Sequence, residues 1–112
     1  MNKYNAHKCY AFGIKFDSKA EMERYLFLRD RMNRGEITDL QCHRKFTLIK
    51  PQNYGKHRLQ ATTYIADFVY WENGKTIVED VKGYKKGVAY QLFMIKKKMM
   101  LEKYGLWVRE IE

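Results

Sequence analysis

Hydrophobic and polar positions alternate most clearly between residues 60 and 82. In "ADFVYWENGKTIVEDVK", residues 66–82, Val, Ile, Phe, Tyr and Trp flank Asn73-Gly74. That dipeptide is the strongest short hairpin signal, because both residues tolerate the positive φ of a type I′ turn. The pattern predicts strands over 60–72 and 75–82. Upstream, "CYAFGIKF" reads as one or two short strands broken by Gly13. Ser18 followed by Glu21 makes a capping box, which predicts a helix starting at Ser18, and Gly35 is placed to stop it. A strand is expected near 43–49, and "PQNYGKHR" reads as a loop holding the only proline. "GYKKG" is a basic turn; a second helix is expected from about Val88 to Tyr104, ended by Gly105, and "LWVREI" closes the chain as a strand. Residues 1–8 are polar and expected to be loose. The order is strand, helix, three strands, helix, strand. It predicts one α/β (α+β) domain: a central mixed sheet with an antiparallel hairpin, flanked by two helices.

The hairpin raises a chemical question. A two-residue loop pairs Glu72 with Lys75, Tyr70 with Ile77, Phe68 with Glu79 and Asp67 with Asp80. Directly opposed strand residues bring their Cβ atoms to roughly 4.5–5.5 Å, and like charges so placed destabilise the pair. Side chains alternate along a strand, so Lys82 shares the face of Asp80, with Ile65, Val69, Trp71, Thr76 and Val78, while Glu79 points away. Two acids and one lysine leave excess negative charge on an apolar surface. A divalent cation with oxygen ligands would relieve it. An ordinary exposed face with Lys82 bridging the acids is the other reading, and the hairpin alone leaves both open.

Helical spacing adds a third acid. Glu21, Tyr25, Leu28 and Met32 fall on one stripe, so Glu21 faces the sheet, whereas Glu23 lies with Asp30 on the opposite side. Glu21 can cap the helix and still reach a metal. In the second helix, Leu92, Phe93, Lys96, Met99, Met100 and Lys103 lie near one face, and Lys97 is expected to point elsewhere. Lys96 is then a cation on an apolar stripe, either snorkelling to solvent or reaching a phosphate beside the acids.

Composition narrows the partner. The 112 residues carry Lys+Arg 22 against Asp+Glu 13, a formal net charge of +9. So large an excess on one small domain favours a polyanion, nucleic acid first and an anionic membrane surface second. No leader-like segment is visible, and no apolar run approaches the roughly 18 residues of a membrane span. Cys9 and Cys42 make no disulfide framework, which fits a reducing cytoplasm. A zinc site from His7, Cys9, Cys42 and His43 is disfavoured, since adjacent strand residues point to opposite faces and no CxxC pair is present.

Helical Glu21, then Asp67, then Asp80-x-Lys82, resembles the PD-(D/E)XK nuclease superfamily. "FDSKAEMERYLFL", "TYIADFVY" and "TIVEDVKG" look like a small phage-associated branch, similar in layout to junction resolvases of the phage endonuclease I type. Ala66 stands where the superfamily name has proline, and Asp80 where glutamate is commoner. His43, Arg44 and Lys45 occupy a strand in which related enzymes sometimes carry glutamine, so no role transfers to them.

The resemblance implies a restriction-endonuclease-like core and a metal-dependent DNA endonuclease. Glu21, Asp67, Asp80 and the Val81 carbonyl would hold one or two Mg²⁺ or Mn²⁺ ions, and Lys82 would orient water and neutralise the phosphate. Arg44, Lys45, Lys56, Arg58, Lys85, Lys86 and Lys96 are expected to contact DNA, branched DNA included. A junction resolvase would be a homodimer, with Tyr10 and Phe12 as interface residues. The compartment implied is the cytoplasm of a bacterium or of a phage-infected host, with no membrane. A non-catalytic basic nucleic-acid-binding module and a structural subunit of a phage or ribonucleoprotein particle are the competing classes.

Overall fold

The computed structural model describes residues 8–112. The chain runs β1 (Cys9–Ala11), β2 (Ile14–Phe16), α1 (Lys19–Asn33), β3 (Thr38–Ile49), β4 (Gln52–Tyr54), β5 (His57–Leu59), β6 (Thr62–Glu72), β7 (Lys75–Val81), α2 (Gly87–Tyr104) and β8 (Val108–Ile111). The expectation for the N-terminal tail, and His7 of the disfavoured zinc set, lie outside the described residues. The expected α+β class is what forms. β3, β6, β7 and β8 make one mixed sheet in that order, antiparallel except for the parallel β7–β8 pair. Among the described residues no helix is long and apolar enough to cross a membrane.

Local signals explain most boundaries. Ser18 caps α1, its hydroxyl accepting the Glu21 N–H at 3.1 Å. Asn73 (φ 50°) and Gly74 (φ 77°) both take positive φ, as a type I′ turn requires. Gly105 (φ 67°) ends α2 in the left-handed conformation, its N–H donating to the Leu101 carbonyl and that of Leu106 to the Met100 carbonyl. Two expectations need correction. The strand placed near 43–49 starts earlier, at Thr38, because β6 offers a paired edge along that whole length. "PQNYGKHR" is not a plain loop: β4 and β5 form their own hairpin, Tyr54 opposite His57. Gly55 (φ 59°) takes the first turn position there, where only glycine is free of strain.

The sheet is buried on both faces. On one, Tyr25 and Leu28 of α1 pack with Phe16, Phe68, Tyr70 and Ile77. On the other, Phe93 and Met100 of α2 pack with Tyr64, Ala66, Val69 and Val78. Ala66 and Phe68 are two residues apart yet serve opposite faces, so β6 slips in alternation around Asp67. β3 does the same between Cys42 and Phe46, with left-handed His43 (φ 56°) in the gap. His43 lies between the pairs Cys42–Phe68 and Arg44–Ala66, and therefore opposite Asp67.

Glu79 points toward α1, as expected, and is fully buried. Arg24 grips both its oxygens, Nε at 2.8 Å and Nη2 at 2.7 Å, and the Tyr70 hydroxyl donates to it as well. These bonds satisfy a carboxylate that burial would otherwise penalise heavily.

On α2, buried Phe93, Lys97 and Met100 follow i, i+4, i+7. Lys97 therefore turns inward, contrary to expectation. Its ammonium lies 2.6 Å from Glu110 and 4.3 Å from the Trp107 ring centroid, which compensates its burial.

Candidate metal and phosphate site

α1 delivers Glu21 to the sheet in its first turn. The side chain is fully buried, and its Oε1 lies 2.7 Å from Nε2 of His43. The stripe read from spacing is the buried one, Glu21, Tyr25 and Leu28, whereas Glu23 is exposed. His43 reaches the helix because its left-handed backbone breaks the β3 alternation, and His adopts that region more readily than most residues. Asp67 stands opposite on β6. Ligand atoms of Glu21, His43 and Asp67 all lie within 4.8 Å of one another.

Asp67 and Asp80 do not form the directly opposed pair expected. Regular β6–β7 pairing ends at Phe68–Glu79. Beyond it, Asp67 Oδ2 accepts the Val81 N–H at 2.7 Å, so a side chain continues where the ladder stops. Val81 thus enters the site through its amide, while its side chain is buried in the α1-facing core. Asp80, 5 % exposed, turns to the other side of the sheet, where the Tyr64 hydroxyl donates to its Oδ2 and Lys82 Nζ lies 3.0 Å from its Oδ1. Burial and the nearby Asp80 carboxylate push the Tyr64 phenol well above its usual pKa, so it remains a proton donor.

The aspartates nonetheless share a space. A cleft of about 340 Å³ is lined by Asp67, Asp80, Lys82 and Lys96, with Tyr64 and Phe93 among its walls. Lys82 Nζ sits 3.7 Å from the Phe93 ring centroid, so the lysine is held by a ring as well as by a charge. Lys96 is half-buried at the rim of this cleft, beside the acids. Asp67 joins the two halves, with Glu21 and His43 on one side and Asp80 and the lysines on the other.

The donor set suits a divalent cation. Ligands bound at roughly 2.0–2.6 Å to one ion stand up to about 5 Å apart, as these do. Two carboxylates and an imidazole fit Mn²⁺ better than Mg²⁺, which prefers oxygen. Beside the cluster, burial first, then the charges of Glu21 and Asp67, push the Cys42 thiol up to about 11.

The basic residues divide into groups. Arg44 and Lys45 are exposed on β3, the Arg44 guanidinium 4.8 Å from the Phe46 ring centroid. Lys56 lies in the β4–β5 turn and Arg58 on β5, both exposed. Lys86 precedes α2 and is exposed, whereas Lys85 is drawn to Glu112 at 3.5 Å and Glu110 at 3.8 Å.

His43 and Tyr64 escaped the sequence reading. Under strict alternation Tyr64, three residues before Asp67, belongs on the far face, and nothing local to the sequence marks the slip that admits it. His43 carried only a weak signal, an imidazole at the start of a predicted strand.

A family model described as a protein of unknown function (DUF1064) matches residues 1–110. The chain belongs to that family. No curated protein and no solved structure matches it.

Proposed function

We propose that this protein is a metal-dependent DNA endonuclease of the PD-(D/E)XK type. The observation that carries the reading is Asp67, which completes the Glu21–His43–Asp67 cluster and also lines the cleft of Asp80, Lys82 and Lys96. The order α1, β3, β6, β7, α2, β8 supports it, since the resemblance implies that layout. The net charge of +9 suits a polyanionic substrate.

Glu21, His43 and Asp67 would hold the ion, with Asp80 at the adjoining wall for a second. A divalent cation there supplies a lowered water pKa and relief of phosphate charge. Lys82 orients the attacking water and neutralises the phosphate as negative charge grows. Tyr64 and Lys82 fix Asp80, and Lys96 provides a further cation for a phosphate oxygen. Water oxygen bonds to phosphorus and releases its proton to solvent, the bridging ester bond breaks, and the leaving alkoxide takes up a proton from a second water.

Labelled DNA incubated with Mn²⁺ or Mg²⁺ should be cut, and chelator should stop the cutting. Junction, flap, linear duplex and single-stranded DNA compared side by side define the substrate. A junction resolvase would act as a homodimer, for which Tyr10 and Phe12, 67 % and 64 % exposed, offer aromatic surface. The second reading is a non-catalytic nucleic-acid-binding module. It is favoured by the Asp80–Lys82 ion pair and the Asp67–Val81 hydrogen bond, which give both acids structural partners. Tight DNA binding without metal-dependent cleavage would establish it.

A further inference from the structure

No acid occurs between Asp39 and Asp67. The β4–β5 hairpin lies in the middle of that stretch, and all its strand residues are exposed. Tyr54 beside the turn is 82 % exposed and Leu59 61 %. Two-stranded ribbons are marginal alone. This one is tied by Arg58 Nη1 to Asn53 Oδ1 at 3.2 Å and by Gln52 Nε2 to the Lys50 carbonyl at 2.9 Å. It presents an uncovered aromatic ring between cations, remote from either core.

We propose that the β4–β5 ribbon is a substrate arm. Tyr54 stacks on a base left unpaired at a branch or gap, and Lys56 and Arg58 hold the flanking phosphates. The proposal rests on the DNA-nuclease reading and adds a preference for DNA with exposed bases. The physical reason is that a base face inside a continuous duplex is already stacked, whereas an unpaired base offers its π-face to a tyrosine. Charge favours DNA over a second copy of the chain, because two-fold pairing of arms would set Lys56 and Arg58 against their own like.

Position gives the arm a definite reach. β6 leads from its base at Thr62 to Asp67, about 17 Å at roughly 3.3 Å per residue. The ribbon extends up to about 10 Å further by the same rise.

The test is fluorescence anisotropy in chelator, so that nothing is cut, on a plain duplex and on the same duplex with a gap of unpaired bases. Tyr54→Ala should weaken binding to the gapped DNA about tenfold or more and leave the plain duplex nearly unchanged. Tyr54→Phe should restore the gapped affinity, since stacking needs the ring and not the hydroxyl. Lys56→Ala with Arg58→Ala should weaken both complexes and lower the salt slope by about two. The proposal is overturned if Tyr54→Ala binds gapped DNA as tightly as the wild type, or if the wild type binds neither DNA. Light scattering that finds a wild-type dimer lost in Tyr54→Ala, with DNA affinity unchanged, would assign the arm to self-association instead. Hydrolysis of bis(p-nitrophenyl) phosphate with Mn²⁺ reports the cleft separately, because that substrate cannot reach the arm. Its retention in Tyr54→Ala beside a lost gap preference supports both readings. No metal-dependent cutting of either DNA by the wild type refutes the nuclease while anisotropy still judges the arm.

Discussion

Asp67 Oδ2 accepts the Val81 N–H at 2.7 Å, so one carboxylate finishes a strand ladder and borders the candidate metal cluster. The two roles respond differently to substitution. Asp67→Asn keeps an oxygen acceptor and should leave chemical stability within about 1 kcal/mol, the net worth of one hydrogen bond. It should nonetheless lower metal-dependent cleavage at least a hundredfold, on the order of the charge stabilisation a catalytic metal site provides. Asp80→Asn and Lys82→Ala should lower cleavage as far, with a larger loss of stability for Lys82→Ala, which leaves the buried Asp80 carboxylate without its ammonium. Urea melts beside cleavage rates check the separation; an Asp67→Asn enzyme that cuts normally would refute the site.

His43 and Glu21 should be felt first in metal affinity. His43→Ala removes the nitrogen donor and should weaken Mn²⁺ binding about tenfold or more, with a smaller effect on Mg²⁺. Titration calorimetry reads this without turnover. Glu21→Gln should impair both binding and cleavage, and Glu23→Gln neither, since Glu23 is exposed away from the cluster.

Arg24→Ala leaves Glu79 buried without its bidentate partner. Removing one member of a buried pair costs about 3–5 kcal/mol, here toward the lower end because Arg24 retains some exposure. A denaturation midpoint within error of the wild type would mean that Tyr70 alone satisfies Glu79.

Glu110 links stability to acid. Burial raises its pKa, but hydrogen bonds from Lys97 and Tyr90 outweigh that, and the folded value lies below the ordinary one. A depressed folded pKa contributes stability that is present above the unfolded value and lost as pH falls through the folded one. Melting temperature should therefore fall more steeply below about pH 4.3, the free glutamate value, in the wild type than in Glu110→Gln. Parallel pH profiles for the two proteins would refute the linkage.

DNA binding should weaken with salt, and each phosphate-contacting cation removed should lower the slope by about one. Lys86→Ala should show the full effect. Lys85→Ala should show less, because Glu110 and Glu112 already draw its ammonium. Equal slopes for the two variants would mean that DNA displaces those acids.

Sequence alone determined the elements that rest on local physics. Ser18 and Glu21 started α1, Asn73-Gly74 turned the hairpin, Gly105 closed α2, and helical spacing put Glu21 on the buried face and Glu23 outside. Each depends on neighbours within a few residues. Tertiary structure decided what depends on distant backbone. The slip of β3 and β6 at His43 and Asp67 admitted His43 and Tyr64 and parted Asp67 from Asp80. The Phe93 and Met100 face carried Lys97 inward, because Glu110 on β8 and Trp107 just before it could compensate its charge once that strand joined the sheet. The projecting β4–β5 ribbon likewise pairs without covering a core, so its polar, proline-led segment carried no hydrophobic alternation to announce it. A period of two locates a strand, but where that period breaks is set by the partner strand and the helices packed on each face.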